Sequence, residues 1–278
     1  NVAATAARLG TDAVWLSKLP DSPLADRVVE GIERHGVDVR VARDEGRVGT
    51  YYLDSGGEPR GTEVVYDREG AAVRTATPEE LDLDAVEAAE RFLVTGITPA
   101  LSDTLTATTR ELLETAREAG TETVFDPNYR AKLWTPEEAR ETLTDLLPLV
   151  DTLVVAERDA REVLAREGTP EEIAAGLAEE FGHETVVLTR GDAGALAWTD
   201  DDTVEQDVFE ADTYDAVGSG DAFVGGFLVA KGDGKPLSEA LAWGAASASL
   251  KRTIAGDVAV ISRDDVERVL SDASGIDR

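Results

Sequence analysis

The stretch Asp215-Ala216-Val217-Gly218-Ser219-Gly220-Asp221-Ala222-Phe223-Val224-Gly225-Gly226-Phe227-Leu228 decides how this chain is read. Small residues lead to an acid, and an apolar series (Phe223, Val224, Phe227, Leu228) follows at helical spacing. The pattern predicts a glycine-rich loop that opens directly into a helix. Without Cβ atoms at Gly218 and Gly220, backbone amides can crowd around an anion. The helix start adds unpaired N–H groups and partial positive charge. Asp221 then stands where its carboxylate can accept a proton from an attacking hydroxyl. An anion hole beside a general base is the minimum apparatus for phosphoryl transfer to an alcohol. Taken alone, these residues also suit an ordinary capping loop in which Asp221 complements the helix dipole.

Outward from that loop, short apolar strands alternate with helices. Helical spacing covers Val2 to Leu9, Ser22 to His35 (capped by Asp21 or Ser22), Ser102 to Ala119, Pro136 to Leu147, segments near 157–166 and 170–181, and two closing helices from Gly220 and Leu237. Strand-like runs are Ala13–Leu16, Val37–Ala42, Phe92–Val94, Thr123–Phe125, Leu153–Val155 and Thr185–Leu188, with a hairpin over Ala195–Trp198 and Thr203–Val208. This rhythm predicts an α/β fold with a mostly parallel sheet covered on both faces. It breaks at Arg47 to Leu53 and Thr62 to Arg68, β-rich runs separated by a strong turn signal from Ser55 to Gly61. Two such strands with no helix between them predict a hairpin outside the main sheet.

With 278 residues and 42% hydrophobic residues, the chain can bury a sizeable core. Its 57 acids against 27 bases give a formal net charge of −30, spread along the whole length. A dense acidic surface is tolerated where salt shortens charge repulsion to about 3 Å at 1 M, and the composition resembles that of halophilic archaeal proteins. Nucleic acid is excluded as a partner at ordinary salt, because its phosphates would be repelled. Zero cysteine excludes disulfides and thiolate chemistry. No stretch approaches the roughly 18 apolar residues of a membrane span, so a soluble, cytoplasmic protein is expected.

The Asp215–Leu228 stretch closely resembles the C-terminal signature of the ribokinase-like, or PfkB, family of sugar kinases, D-T-x-G-A-G-D-x-F-x-x-G-F, with Ala216 and Ser219 as mild departures. The resemblance implies a ribokinase-like three-layer α/β/α sandwich with a small β-strand lid: residues 1–46 and 74–278 in the nucleotide- and substrate-binding body, 47–73 in the lid. It implies Asp221 as catalytic base, Gly218, Ser219 and Gly220 as the hole for the migrating phosphoryl group, ATP and Mg²⁺ as cofactors, and a homo-oligomer paired through the lid strands. Asn1 to Gly10 resembles the family's N-terminal signature entered at its Asn, which places Asn1 at the sugar. The chain contains no methionine, and the first strand and paired glycines of that signature are expected to precede Asn1.

Further segments narrow the substrate. Asp126-Pro127-Asn128-Tyr129-Arg130-Ala131-Lys132-Leu133-Trp134 follows a strand, where open α/β sheets place ligands. Its D-x-N-x-R pattern is the family's, and the added Lys-Leu-Trp resembles the 2-keto-3-deoxygluconate kinases within it. A local turn in which Asp126 and Asn128 cap nearby amides is the plainer reading. Segments 48–52 and 64–72 resemble that subgroup's lid. By the same resemblance, Tyr51, Tyr66, Arg68, Arg130 and Asp257 fall on substrate-contacting positions. Guanidinium forks suit the carboxylate of a keto-deoxy sugar acid. On the nucleotide side, Asn128, Thr189, Gly191 and Gly194, together with Gly218 and Gly220, are implied at ATP. The family's N-x-x-E, linked to magnesium, corresponds to Ala156-Glu157-Arg158-Asp159, so Asp159 is expected to act on the metal through water. Together these readings predict ATP-dependent phosphorylation of the terminal hydroxyl of 2-keto-3-deoxygluconate. A fructokinase, ribokinase, phosphofructokinase or non-catalytic binding protein of the same fold is the alternative.

Overall fold

The computed structural model describes residues 1–55 and 61–273. In chain order its elements are α1 (Val2–Arg8), β1 (Val14–Pro20), α2 (Pro23–Glu33), β2 (Asp38–Asp44), β3 (Thr50–Ser55), β4 (Thr62–Asp67), α3 (Leu83–Glu87), β5 (Arg91–Thr95), α4 (Asp103–Ala119), β6 (Glu122–Asp126), α5 (Pro136–Leu146), β7 (Thr152–Ala156), α6 (Glu157–Glu162), α7 (Pro170–Phe181), β8 (Thr185–Thr189), β9 (Ala195–Trp198), β10 (Thr203–Gln206), α8 (Ser219–Gly232), α9 (Leu237–Arg252) and α10 (Arg263–Ala273).

Among the described residues, six strands form the central sheet in the order β10-β9-β8-β7-β6-β5. Strands β5 to β8 run parallel, and β9 and β10 form the predicted antiparallel hairpin at one edge. Alternating side chains explain the layers. Leu153 and Val155 of β7, with Val186 and Leu188 of β8, pack on one face among Leu143, Leu146, Ile173 and Leu177. Val154 and Val187 point the other way, toward Phe223, Phe227, Leu241 and Trp243 of α8 and α9. Both faces are therefore covered, as parallel strands require.

Helix starts follow the sequence. Ser22, Ser102, Thr135 and Thr169 each accept a backbone N–H of the following turn, and Pro23, Pro136 and Pro170 occupy first helical positions.

Several elements differ from expectation. Strands β1 and β2 pair in parallel with each other, in a ladder separate from the central sheet. β1 continues past Leu16 because the buried Lys18 has partners, Asp44 at 2.6 Å and Glu80 at 2.7 Å. α6 stops at Glu162, short of 166, and Ala165 takes a left-handed φ of 54° just beyond. α3 and the acid-rich α10 have no counterpart in the reading of the sequence. His183 is buried and bonds the Val150 carbonyl at 2.7 Å. The β3–β4 pair is antiparallel and joined to no other sheet. Its predicted turn lies mostly outside the described residues.

Candidate active site

The register Thr95↔Asp126 and Ala156↔Thr189 aligns the carboxyl ends of β5 to β8 along one edge. Asp126, the start of α6 and Thr189 thus emerge together, at the sheet edge where α/β folds place ligands.

The signature loop meets α8 beside this edge. Gly218 is the residue before the helix and has φ 82° and ψ 0°. A Cβ built there would stand 1.9 Å from the Asp257 carbonyl oxygen, so only glycine allows both this turn and this approach. Ser219 N–H bonds back to the Ala216 carbonyl at 3.2 Å and its hydroxyl to the same oxygen at 2.8 Å. The amides of Gly218, Gly220 and Asp221 have no partner among the described residues. Three free amides at a helix start can receive an anion.

Asp221, half-buried in the first turn of α8, is reached by Asn1, whose Nδ2 donates to Oδ2 at 2.8 Å. The close approach of α1 to α8 puts Asn1 there: a Cβ at Gly225 would lie 2.7 Å from Thr5 Cβ. From the same nitrogen the Asp257 carboxylate stands at 3.4 Å, and Tyr51 of β3 donates its hydroxyl to that carboxylate at 3.2 Å. Burial, then the Asp257 charge, pushes the Tyr51 phenol above its ordinary range, which keeps it a donor.

Positive charge enters from Arg68, just past β4, and from Arg130. Tyr51 and Tyr66 are cross-strand neighbours with ring centroids 6.4 Å apart. The Arg68 guanidinium lies 4.4 Å over the Tyr66 ring. Desolvation holds Arg68 below its ordinary pKa, with the Arg130 charge acting the same way, and Nη1 of Arg68 is buried without a partner. Arg130 donates from Nη1 to the carbonyls of Asn128 and Tyr129, at 3.1 and 3.0 Å. Lys132 donates to the Val64 carbonyl of β4 and so links this loop to the hairpin.

Asp126 and Asn128 do form the local turn. Asn128 donates its amide to Oδ1 at 2.9 Å and its Nδ2 to Oδ2 at 3.1 Å, at a left-handed φ of 41° that asparagine tolerates. Asp126 is more than a cap, however. Although half-buried by surface, its carboxyl is pushed up to about 7, first by desolvation and then by the Asp221 charge, against the pull of the Asn128 amide and Arg130. Its titration was not foreseen; the strand-end position beside a second acid was the available signal.

Asp159 is 4% exposed, and Arg158 takes its Oδ1 at 2.9 Å. Among the described residues no group of three metal-ligating side chains stands together. The described residues therefore offer no cage that would hold a metal by protein ligands alone.

Thr189 ends β8, and Gly191 and Gly194 bound the turn before β9. Among the described residues no hydrogen bond joins these three to Asp221. An open cavity of about 610 Å³ lies alongside, lined by Asp192, Val208, Phe209, Glu210, Ala211, Asp212 and Arg252. Sequence reasoning missed it because its walls come from an irregular segment without a motif.

The pattern of the pfkB family of carbohydrate kinases matches residues 1–262. The chain belongs to the PfkB family of carbohydrate kinases. The kinase is similar to a 2-dehydro-3-deoxygalactonokinase of Haloferax volcanii, at 56% identity over 280 aligned positions, all of this chain and 88% of that one. It is 33% identical to a 2-dehydro-3-deoxygluconokinase of Bacillus subtilis, over 93% of this chain and 80% of that protein. The crystal structure of a 2-dehydro-3-deoxygluconokinase from Thermotoga maritima matches with a TM-score of 0.92 and 31% identity, over 98% of this chain and 87% of that one. The ribokinase-like α/β architecture is therefore the kinase's fold, with a mixed, mostly parallel sheet between helices. No helix among its described residues is long and apolar enough to cross a membrane.

Proposed function

We propose that this kinase phosphorylates the terminal C6 hydroxyl of a 2-keto-3-deoxy hexonic acid, using ATP. The similarity to the Haloferax volcanii protein favours the galactonate-derived epimer, and the gluconate-derived one differs by a single hydroxyl that leaves the charge pattern unchanged. The observation that carries the acid-sugar reading is Arg68. Its buried Nη1 has no acceptor, and no carboxylate pairs with it among the described residues. An unmet buried donor on a charged group costs several times an ordinary hydrogen bond unless a ligand supplies the acceptor. A substrate carboxylate between Arg68 and Arg130 supplies it. A sugar phosphate would satisfy the same nitrogens, which makes phosphofructokinase activity the second reading.

In this reading Asp221 takes the C6 proton as that oxygen bonds to the γ-phosphorus. The bond from phosphorus to the β-bridging oxygen breaks, and ADP leaves. The free amides of Gly218, Gly220 and Asp221 hold the charge on the moving group. Asn1 fixes the base, leaving one carboxylate oxygen for the substrate. Asp257 and Tyr51 hold the sugar with Tyr66.

Asn128, Thr189, Gly191 and Gly194 border the nucleotide. The cavity beside Asp192 suits its neutral base, since the three carboxylates there against one guanidinium would repel phosphate. Mg²⁺ supplies charge neutralisation on the phosphates when bound, and we place Asp159 in reach of its waters. The β3–β4 hairpin, residues 47–73, acts as a lid on the body formed by 1–46 and 74–278. Its far face carries the cross-strand pair Tyr52 and Val65, 62% and 52% exposed, which we assign to pairing with a second copy. The acidic surface suits a salt-rich cytoplasm.

A substrate panel tests the proposal. Turnover of the two keto-deoxy acids should exceed that of fructose, ribose and fructose 6-phosphate by at least about tenfold in kcat/KM, the value of one charge-assisted pair. Equal turnover of a neutral sugar overturns the acid-sugar reading, and preference for fructose 6-phosphate selects the second one. Asp221→Asn should lower kcat about 10²–10⁴-fold.

A further inference from the structure

Lys251 is 0% exposed, at the last turn of α9, and its charge has no role in the chemistry above. Among the described residues no carboxylate stands within ion-pair distance of it. Its ammonium donates instead to two backbone carbonyls, Asp215 at 3.0 Å and Ile254 at 3.0 Å. A buried lysine is expensive, and burial lowers its pKa against the pull of Asp215 and Asp257. A neutral residue could fill the same volume without that penalty, so the charge requires an account.

The two carbonyls belong to the segments that frame the catalytic loop. Asp215 begins the loop that holds Gly218 and Asp221, and Ile254 begins the turn that leads to Asp257. Other bonds run between the same segments. The Asp215 carboxylate accepts the amides of Val217 and Gly256, both at 3.0 Å. The amides of Tyr214 and Asp215 both donate to the Arg252 carbonyl, at 2.8 and 3.0 Å. Gly218 rests against the backbone of Asp257. Lys251 thus bonds both segments at once, through the carbonyl at the head of the loop and the carbonyl at the head of the turn.

We infer that Lys251 is a positioning residue for phosphoryl transfer: its buried ammonium locks the 215–221 loop to the 252–257 turn, and so fixes the free amides relative to Asp221 and Asp257. The inference rests on reading those amides as the phosphoryl receptor. It also places a buried positive charge beside a loop that must hold the negatively charged phosphoryl group, where preorganised charge is worth most.

The test compares Lys251→Met, close in volume but neutral, with Asp221→Asn in the full chain, both assayed with ATP and the keto-deoxy acid. K251M is expected to lose tenfold or more in kcat while KM for sugar and nucleotide stays within threefold. Lys251→Ala should regain part of that loss with n-propylammonium, which replaces what the substitution removes. A folded K251M with kcat within threefold of the parent overturns the inference. Where K251M does not fold, K251A refolded with and without n-propylammonium decides: recovery of folding and turnover supports it, and no recovery overturns it. If D221N is inactive while K251M is unaffected, the Lys251 inference fails alone. If D221N turns over like the parent, the reading of the loop itself fails.

Discussion

At Gly218 a carbonyl occupies the space where a side chain would begin, whereas Tyr51, on the hairpin facing the same Asp257, is 45% exposed and meets it through one hydrogen bond. The end we assign to the phosphoryl group is packed into α8, α9 and the turn after α9, with Phe223, Phe227, Leu241 and Trp243 beneath it. The end we assign to the sugar is a two-stranded ribbon, tied to the body by Tyr51–Asp257 and Lys132–Val64 among its contacts. Such a ribbon is marginal alone. The contrast assigns different work to the two ends. Charge stabilisation needs donors that do not reorganise, and recognition of a charged substrate can use groups that complete their contacts when it binds.

Gly218→Ala attacks the rigid end and should give the largest effect. An L-residue at φ 82° costs about 1–2 kcal/mol, and the added carbon meets the Asp257 carbonyl. The loop must part from the 252–257 turn, which misaims the amides. A loss of about 10²–10³-fold in kcat, with a fall of several degrees in Tm, is expected. Steady-state kinetics beside a melting curve would check it. A loss confined to sugar KM would erase the distinction between the two ends.

Arg68→Met sharpens it from the other side. The cation over Tyr66 and the unmet Nη1 go, and the apolar stem stays. Binding should weaken by about 1.5–3 kcal/mol, roughly 10- to 150-fold in KM for the acid, with kcat much less affected. The apo protein should lose no stability, because a desolvated, unpaired charge has been removed. A reduced Tm would mean that Arg68 supports the fold rather than the substrate.

The same contrast decides what could be read before the structure. The Asp215–Leu228 loop was legible because its chemistry is local: glycines, acid and helix lie within a few residues, and spacing alone orders them. The β6 to β8 strands were legible from short apolar runs. The Asn1–Asp221 bond and the Gly218–Asp257 contact were not, since each joins positions far apart in sequence. Lys18 and Lys251 show the same limit: a lysine in an apolar run reads as a strand end or an exposed residue until its partners appear. β1 therefore runs on past its apolar stretch, and nothing in the pattern around Lys251 marks it as buried. The pairing of β1 with β2 alone is equally non-local, because nothing in either strand's apolar pattern encodes its neighbour.

Asp126 lies where the two ends meet, sensing Asp221 on one side and Arg130 on the other, and gives the smallest and most specific test. Its carboxyl is pushed from the usual 3.8 up to about 7, so the folded protein binds this proton more tightly than the unfolded chain. The sign follows. The group adds no penalty below the unfolded value, and its cost to stability grows as pH rises from about 4 to about 7 and is constant above. Asp126→Asn removes the charge and keeps an acceptor for the Asn128 amide. Its Tm should match the parent near pH 4 and exceed it by several degrees at pH 8, with the gap opening between those limits. In Asp221→Asn the parent's pH dependence should shift downward, because the second-largest cause of the raised value is gone. A gap that ignores pH would mean that Asp126 serves only as a turn cap, and that the base and the arginines do not share one electrostatic field.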